Sequence, residues 1–387
     1  MLALNTGSSS LKFAVYELGP RSERRVAHGA VENIGGGDGS TWVEQEGQRT
    51  EQKSGCSEQA AALDSAFILL AQQRLAGVDM VGHRVVHGGP HHVRPERVDA
   101  ALMESLHRLI PLAPLHLPAC LAAMQAVSAR FPSLPQVACF DTAFHATLPR
   151  HTRTLPLPAR FEEVRRYGFH GLSYEYVMST LGADEPSRIV IAHLGNGASL
   201  VAVKDGSSVD TTMSLTPAGG ILMGTRSGDI DPGVLVYLAR EYGMDARALE
   251  RCFDQECGLL AVGGTSDMKA LIERSATDPS AALAVEMFGY AVRKQIAGFA
   301  GALGGLDLLV FTGGIGERAG SVRMEACRGL QDFGITLDAA ANASGASIIS
   351  ASSSRVVVKV VKADEDIVIA RHTRQLVESA KKENHAR

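Results

Sequence analysis

Apolar residues recur along the chain with two periods, one typical of strands and one typical of helices. Alternation of Leu11, Phe13 and Val15 predicts a strand over 11–18, after a first strand over 2–5. Other apolar runs predict strands over 78–86, 136–140, 188–193, 199–204, 306–312 and 355–361. The helical period predicts helices over 57–75 with Ser57 as N-cap, and over 114–130, 231–241, 246–256, 266–275, 279–303 and from 363 onward. Strands that alternate with helices indicate an α/β protein.

The chain also carries a weak internal duplication. LNTGSSSLKFAV and HLGNGASLVAV each predict a strand, a Gly/Ser turn and a second strand, with Ser10-Leu11 aligned on Ser199-Leu200. A chain of 387 residues with 45% hydrophobic content is long for one core. We therefore predict two similar lobes, residues 1–145 with a returning C-terminal helix over 364–387, and residues 146–363.

Composition narrows the classes of function. The net charge of -4 and the 21% of charged residues do not suggest a nucleic-acid or membrane partner. The start, MLALNTGSSS, lacks the pattern of a signal peptide, and no apolar run is long enough to span a bilayer. The spacing of the six cysteines predicts free thiols in a reducing compartment. Together these features predict a cytoplasmic protein.

Four turns rich in glycine or serine each follow an apolar strand. They span 6–10, 194–198, 218–227 and 313–318. Such turns leave backbone N–H groups free to face phosphate oxygens. A single turn is more often a hairpin or a helix cap, but four in one chain favour a nucleotide site. The chain has no GxxxxGK[ST] segment, so this is not a P-loop enzyme.

An alternative interpretation of the last turn is a dinucleotide site. Residues 314–319 match G-x-G-x-x-A between a predicted strand and helix, and Asp338 follows at about the expected distance. This would favour an NAD-dependent dehydrogenase. However, too little chain follows to build a dinucleotide fold, and the other three turns would have no role.

Several polar side chains stand beside these turns. The position of Lys12 fits two interpretations equally well: its ammonium reaches a phosphate, or it faces solvent. Asp141 follows a strand tip, where it could contact a ligand or, equally, cap a helix. Arg84, Arg226 and His170 have the chemistry to stabilise charge on a phosphoryl group, since guanidinium matches its oxygens in a bidentate fork. Each arginine alone would more often be a surface cation.

Two groups have the composition of a metal site but a simpler explanation. The cluster of His87, His91 and His92 lacks a suitably spaced fourth ligand, which favours a solvated loop. Asp229 and Asp231 precede Pro232, where starting a helix is the favoured role.

Nine segments together resemble the acetate kinase family, within the actin/Hsp70/sugar-kinase group. They are LNTGSSSLKF, GHRVVHGG, PLAPLH, FDTAFH, YGFHGLSYEYV, HLGNGAS, DTTMSLTPAGGILMGTRSGDIDPG, FTGGIGER and ADEDIVIARHT, in the family's order over nearly the whole chain. The resemblance implies two duplicated actin-like (ribonuclease H-like) α/β domains with an ATP cleft between them. It also implies a homodimer that reversibly moves the γ-phosphoryl group of ATP to acetate, in line and with Mg²⁺, for which Mn²⁺ can substitute, within acetyl-CoA biosynthesis.

The resemblance further implies a role for individual residues. The catalytic residues would be Asp141, His170, Arg226 and Arg84. Acetate would contact Arg84, Val86, Leu115, His116, Phe169 and Pro217. ATP would be bound by Ser8, Ser10, Lys12, His193, Leu194, Gly195, Asn196, Gly197, Asp267, Met268, Lys269, Gly314, Ile315, Gly316, Glu317 and Arg318, and magnesium by Asn5 and Glu365. Because acetate, with a pKa of about 4 to 5, is already ionised at pH 7, we expect Asp141 to orient magnesium or its waters and not to act as a base.

Two alternatives stay open beside acetate. Propionate differs by one methylene, which is worth only ~1–3 kcal/mol of discrimination, although Val86 in the pocket favours acetate. An ATP-binding protein without transferase activity would lack the paired arginines and the apolar pocket. The chain departs from the family's usual residues at Pro90, Leu117, Leu172, Tyr174, Lys269 and Arg318. Leu117 and Leu172 would remove polar groups from the predicted site.

Overall fold

The computed structural model describes residues 1–7, 9–19, 22–36, 38–75, 77–182 and 186–385. The strands are β1 Leu2–Thr6, β2 Leu11–Gly19, β3 Ser22–Glu32, β4 Ser40–Gln45, β5 Gln48–Lys53, β6 Val81–Val85, β7 Glu96–Arg97, β8 Gln136–Phe140, β9 Arg188–Leu194, β10 Ala198–Lys204, β11 Ser207–Thr211, β12 Leu308–Thr312 and β13 Val357–Val360.

The α-helices are α1 Gln59–Gln72, α2 Ala100–Arg108, α3 Leu117–Arg130, α4 Arg150–Arg153, α5 Gly171–Leu181, α6 Pro232–Glu241, α7 Ala246–Arg251, α8 Gly258–Gly263, α9 Met268–Arg274, α10 Pro279–Leu303, α11 Gly313–Arg318, α12 Gly320–Cys327, α13 Ala339–Ser344 and α14 Glu365–His385. Short 3₁₀ turns lie at Ile110–Leu112, Ala143–Thr147, Ala159–Phe161 and Gln331–Phe333, and a π-helical turn lies at Cys252–Glu256.

The chain forms two compact units. Unit 1 is Met1–Ala143 together with the segment that begins at Asp364, and unit 2 is Phe144–Ala363. In the described part of unit 1 the sheet order is β5-β4-β3-β2-β1-β6-β8-β7. Strands β1, β6 and β8 are parallel, and β1 to β5 form a run of antiparallel pairs.

The sheet of unit 2 repeats the central part of the sheet of unit 1. Its order in the described residues is β11-β10-β9-β12-β13. The antiparallel pairs β11–β10 and β10–β9 are followed by the parallel strands β12 and β13, as β3-β2-β1 are followed by β6 and β8. The predicted α/β class and the predicted duplication are therefore confirmed.

Local chemistry explains where several elements begin and end. Every residue of β8 is buried, as expected for a parallel strand inside a sheet that is covered on both faces. Helix α10 begins after Asp278, whose side chain accepts from the N–H groups of Ser280 and Ala281, and Pro279 occupies its first position. It ends at Gly304, which has a left-handed φ of 72°.

Separate hydrophobic cores hold each unit together. In unit 1, one core contains Leu4, Leu11, Phe13, Leu63 and Leu69. A second contains Val85, Leu102, Leu106, Leu117, Leu121 and Phe140. In unit 2, a core contains Tyr174, Ile191, Val201 and Val310. Leu117 is fully buried in its core, so its apolar side chain contributes to packing.

Several predicted boundaries are wrong. Helix α1 begins at Gln59 after Glu58, so Ser57 is not its N-cap, and Glu58 makes no side-chain cap bond. The predicted turn over 313–318 is helical, as α11. The helix predicted over 246–256 ends at Arg251, because the π-helical turn takes over. The elements that the sequence did not predict include β3, α2 and α5. None of the helices in the described residues combines the length and apolar content needed to cross a bilayer.

Candidate active site

In unit 1, polar side chains gather around Arg84 of β6. Its Nε and Nη2 donate to Asp141 Oδ2 at 3.0 and 2.5 Å. Its Nη1 donates to Asn5 Oδ1 at 3.0 Å, and Glu365 Oε2 lies 3.8 Å from its Nε. Because β1, β6 and β8 are parallel neighbours, their carboxyl ends meet at one edge of the sheet. The structure therefore brings Asn5, Asp141 and Glu365 around one guanidinium, and Asp141 is an ion-pair partner and not a helix cap.

The pairing of Arg84 with Asp141 is a mostly buried ion pair. The Arg84 side chain is 20% exposed and that of Asp141 is 1% exposed. Burial by itself lowers the pKa of the Arg84 guanidinium, but Asp141 and Glu365 more than offset this, and the net pKa is raised. The three hydrogen bonds use three of the five N–H groups of a guanidinium. These three bonds leave two N–H groups of the guanidinium unused.

The start of α14 concentrates negative charge beside this cluster. Three acidic residues, Asp364, Glu365 and Asp366, follow one another there. Burial first, then the charges of Glu365 and Asp364, raise the pKa of Asp366 to about 7, against the opposing charges of Arg25 and Lys12. A cation bound here would relieve that repulsion.

Lys12 lies directly opposite Asn5 in the antiparallel pairing of β1 with β2, and its side chain is exposed. In the turn between these strands, the Gly7 N–H donates to the Ser10 carbonyl at 2.8 Å. That N–H is therefore used within the turn. The prediction for Ser8 falls outside the described residues.

In unit 2, His170 adopts a backbone conformation that side-chain-bearing residues rarely take. It immediately precedes α5 with a φ of 59° and a ψ of 24°, in the left-handed region. Its ring stacks on His193 with centroids 4.4 Å apart, and His193 Nδ1 lies 2.8 Å from Ser173 Oγ. Uncommon backbone geometry held by its surroundings is frequent at functional sites.

His170 and Arg226 both face Gly197. A Cβ placed on Gly197 would lie 3.4 Å from His170 Nε2 and 3.4 Å from Arg226 Nη1. Arg226 Nη1 also donates to the Pro217 carbonyl at 3.3 Å. The missing side chain of Gly197 therefore leaves a space, about the size of a methyl group, on which His170 Nε2 and Arg226 Nη1 converge.

The loop that carries Arg226 is held by backbone hydrogen bonds. The N–H groups of Cys257, Leu259 and Leu260 donate to carbonyls of 225, 223 and 224, at 3.0, 2.9 and 2.9 Å. Gly258 has a φ of 66°, and a Cβ there would lie 2.2 Å from the Met223 carbonyl. Gly224 N–H also donates to the Asn196 carbonyl at 3.0 Å. The Arg226 loop and the 194–198 turn are thus fixed to one another.

A cavity of about 860 Å³ lies beside the same turn in unit 2. Eight residues of the predicted nucleotide site line it, namely Gly195, Asn196, Asp267, Met268, Lys269, Gly314, Ile315 and Arg318. Sequence reasoning missed the lining residues Ser266, Ile272, Glu273, Ala319, Gly320 and Ser321. Each of them is either adjacent to a predicted residue or within about one helical turn of one, around α9 and the junction of α11 and α12, and this is the signal that could have found them.

Within unit 2, five other predicted nucleotide residues do not line this cavity, namely His193, Leu194, Gly197, Gly316 and Glu317. Leu194 is fully buried. The Glu317 carboxylate accepts from the Ala363 N–H at 2.9 Å, and its carbonyl accepts from Arg323 Nη1 at 2.9 Å. Arg323 is 1% exposed and also binds the Gly316 carbonyl and Asn342, which fixes the end of α11.

The predicted acyl-pocket residues are divided between the units. Val86, Leu115 and His116 belong to unit 1, where Val86 is buried and the other two are partly buried. Phe169 and Pro217 belong to unit 2, where Phe169 is buried and Pro217 is partly buried.

The alternative metal sites have structural roles instead. Asp231 caps α6 by accepting from the Gly233 N–H at 2.8 Å, and Asp229 accepts from the Gly220 N–H at 2.7 Å. His87 is fully buried and accepts from the Gly89 N–H at 2.9 Å, so the prediction of a solvated loop is wrong for it. Among the residues that the structure describes, no group of three His, Cys, Asp or Glu side chains is arranged to hold a metal ion by itself.

These features define an α/β protein with duplicated sheets, in which Arg84 and Asp141 lie where parallel strands of unit 1 end. The family model described as "Acetokinase family" matches residues 1–371. An acetate kinase of Rhodopseudomonas palustris is 42% identical over 98% of this chain and 99% of its own length. Crystal structures of an acetate kinase from Porphyromonas gingivalis and a propionate kinase from Francisella tularensis are each 34% identical over 97% of this chain. They cover 99% and 98% of their own chains, with TM-scores of 0.87 and 0.91.

The chain belongs to the acetokinase family. This removes the reason to interpret residues 314–319 as a dinucleotide fingerprint. The structure agrees, because the fingerprint segment is helix α11 and the Asp338 carboxylate caps α13 by accepting from the Ala341 N–H at 2.8 Å.

A buried imidazole, His145, supports the backbone beside His170. Its Nε2 lies 3.0 Å from the Phe169 carbonyl and its Nδ1 lies 2.9 Å from Ser208 Oγ. A carbonyl only accepts, so Nε2 carries the proton and donates. Burial lowers the pKa of His145 to about 4, against the smaller opposing effect of the bond to Phe169. His145 is therefore neutral at pH 7.

This shift predicts an acid-sensitive stability. Between pH 6.5 and about 4 the unfolded chain binds a proton on His145 that the folded chain does not, so stability falls as the pH falls through this window. His145→Gln keeps an N–H near the Nε2 position and cannot titrate. The free energy of unfolding of both proteins is compared at pH 7 and at pH 5. We expect the decrease from pH 7 to pH 5 to be about 2 kcal/mol smaller in His145→Gln than in the wild type.

Urea unfolding at both pH values measures this difference. The matched control is His107→Gln, because His107 is exposed on α2. Its unfolding free energy should follow the wild-type pH dependence. Equal slopes for His145→Gln and the wild type would show that His145 does not contribute to the acid sensitivity.

Proposed function

We propose that this enzyme transfers the γ-phosphoryl group of ATP directly to acetate, giving acetyl phosphate and ADP in a reversible reaction. The observation that carries the proposal is the convergence of His170 Nε2 and Arg226 Nη1 on the space at Gly197. Membership of the acetokinase family supports the choice of acceptor. Use of intracellular ATP fits a cytoplasmic location, which stays a prediction.

The chemical problem is that both reactants are anions. Acetate is ionised at pH 7, so no proton must leave the nucleophile, and the main barrier is electrostatic repulsion. Fixed cations lower this barrier because they are already oriented when charge spreads over the transferring phosphoryl group. In the proposal, Arg226 and His170 contact the phosphoryl oxygens, and Arg84 binds the carboxylate with its remaining N–H groups.

Magnesium would be held by Asn5 and Glu365, directly or through water. Mg²⁺ prefers oxygen ligands and usually takes one or two carboxylates together with substrate phosphates. The amide oxygen of Asn5, the Glu365 carboxylate and the acidic start of α14 fit that preference. The ion would neutralise phosphate charge. Asp141 binds the same Arg84 side chain that contacts Asn5 and Glu365, and it would orient magnesium or its waters. Mn²⁺ could replace Mg²⁺.

The nucleotide would occupy the cavity of unit 2. Asp267, Met268 and Lys269 on one side, and Gly314, Ile315 and Arg318 on the other, supply its walls. Lys269 is largely exposed and pairs weakly with Glu273 at 3.9 Å, so its ammonium can move to a ligand. Ser8, Ser10 and Lys12 in unit 1 and His193 to Gly197 in unit 2 would face the phosphates.

The acceptor pocket would be apolar and small. Val86, Leu115, Phe169 and Pro217 would surround the methyl group, and His116 would add a polar edge. The family also contains relatives named propionate kinase. One of them, from Citrobacter rodentium, is 39% identical to this chain. Propionate is therefore the second candidate acceptor.

A substrate series tests the proposed function. With ATP and Mg²⁺, kcat/KM is expected to fall from acetate to propionate to butyrate. The decrease from acetate to propionate, which adds the first methylene, should be ~10-fold or more. Trapping the product with hydroxylamine detects an acyl phosphate. Higher kcat/KM for propionate would favour the second candidate. Absence of acyl phosphate with any of the three acids would reject a carboxylate kinase, and full activity in excess EDTA would reject the magnesium role.

Replacing Arg226 tests whether its convergence with His170 at Gly197 serves phosphoryl transfer. Arg226→Ala removes one of the two groups that converge at Gly197, and kcat is expected to fall by ~10²–10³-fold. Arg226→Lys keeps the charge without the planar fork and should recover only part of the rate. The control is Arg160→Ala, because Arg160 is exposed and contacts the Phe161 ring. A near-normal rate in Arg226→Ala would contradict phosphoryl transfer at this position.

We also propose a homodimer that uses the exposed face of α10. Leu283, Met287 and Tyr290 are 50%, 40% and 54% exposed, and their spacing puts them on one side of the helix. An exposed apolar stripe of this kind is typical of an interaction surface. Met287→Glu should shift the protein from dimer to monomer in sedimentation velocity. Ile68→Glu, at an equally exposed position on α1, should not. A monomeric wild type would contradict the proposal.

A further inference from the structure

Three buried side chains in unit 2 form a hydrogen-bonded series that ends at His170. Ser199 Oγ lies 2.8 Å from His170 Nδ1 and forms a short hydrogen bond with the Tyr174 hydroxyl. Ser199 and Tyr174 are fully buried, and His170 is 9% exposed. We call Tyr174, Ser199 and His170 the relay. Tyr174 comes from α5 and Ser199 from β10, so the sheet and the helix together build it.

The acidity of the hydroxyls gives the relay a direction. Ser199 has one hydroxyl proton, so it donates to only one of its two partners. A phenol, with a pKa near 10, is more acidic than a serine hydroxyl and is the better donor of the two. The favoured arrangement therefore has Tyr174 donating to Ser199 and Ser199 donating to His170 Nδ1.

This direction decides the tautomer of His170. A ring nitrogen that accepts a hydrogen bond carries no proton, so a neutral His170 has its proton on Nε2. Nε2 is the nitrogen that faces the space at Gly197 beside Arg226 Nη1. A protonated Nε2 donates to an anion in that space, whereas the other tautomer would point a lone pair at it.

Other contacts keep the ring in this position. His193 stacks on it, with its own Nδ1 next to Ser173 Oγ. His145 holds the Phe169 carbonyl, one residue before the left-handed backbone of His170. The titratable or charged groups around His170 therefore include His193, Arg226 and, through Ser199, Tyr174.

We propose that Tyr174 and Ser199 are positioning residues that hold His170 as its Nε2–H tautomer, so that it donates a hydrogen bond to the phosphoryl group during transfer. The inference rests on the proposed function for the identity of the anion. The tautomer is inferred from the relay and does not depend on the proposed function. Tyr174 stands where the sequence departs from the resembled family, so this form of support belongs to the chain described here.

Two variants and a spectroscopic readout test the proposal. In full-length protein labelled with ¹⁵N-histidine, wild-type His170 is expected to show an unprotonated Nδ1 and a protonated Nε2. Ser199→Ala removes the partner of Nδ1, and Tyr174→Phe removes the proton that orients Ser199. Both should yield a mixture of tautomers and lower kcat by ~10–100-fold, the loss typical when a group that orients a ligand is removed. The KM for ATP should stay near the wild-type value.

The control is Tyr167→Phe, because the Tyr167 hydroxyl donates to the Glu163 carbonyl at 3.3 Å and is not part of the relay. Its spectrum and kcat should match the wild type. Thermal unfolding identifies a variant that fails to fold. If Ser199→Ala does not fold, Tyr174→Phe, which removes only one oxygen atom, is compared with the wild type. A protonated Nδ1 in active wild type, or a wild-type kcat in folded Tyr174→Phe and Ser199→Ala, overturns the relay. A wild type without acyl phosphate overturns the proposed function, and with it the role in transfer, even where the tautomer is as expected.

Discussion

The buried ion pair of Arg84 with Asp141 is the interaction on which the site of unit 1 depends. Both groups sit where parallel strands end, and each would be costly to bury alone. Their pairing keeps a cation at the sheet edge and places Asn5 and Glu365 within reach of it. The side chains that satisfy the buried charge of Arg84 are therefore the same ones that the proposed function assigns to the magnesium site.

Unit 2 meets a related constraint by a different means. Its sheet has the same strand arrangement, but Arg226 and His170 are positioned mainly by backbone geometry. Glycine at 197 leaves the space, and amides at the start of α8 hold the Arg226 loop. His170 is set by an uncommon backbone conformation and by the relay. The duplicated fold thus supplies two strand-turn-strand platforms, and the side chains placed on them have diverged.

Predictability differed between elements for physical reasons. Strand β8 and helix α10 were predicted with their exact bounds. Strand β8 is a short, mostly apolar run, and α10 has a helical apolar pattern over many turns, with Asp278 and Gly304 at its ends. Strand β3 was missed because its first four residues are all polar or charged. Helix α11 was taken for a turn, since glycines normally disfavour helices. The start of α1 was misplaced because Ser57 has the chemistry of a cap but lies one residue too early.

The sequence alone determined the α/β class, the duplication, the family and the candidate residues, because apolar periodicity and long motifs are local properties of the chain. Only the tertiary structure decided that Arg84 pairs with Asp141, that His170 and Arg226 meet at Gly197, and that Tyr174 and Ser199 support His170. It also placed Leu117 in a core and Asp338 at a helix start. Contacts between residues far apart in the chain depend on strand order and helix placement, which no local pattern encodes.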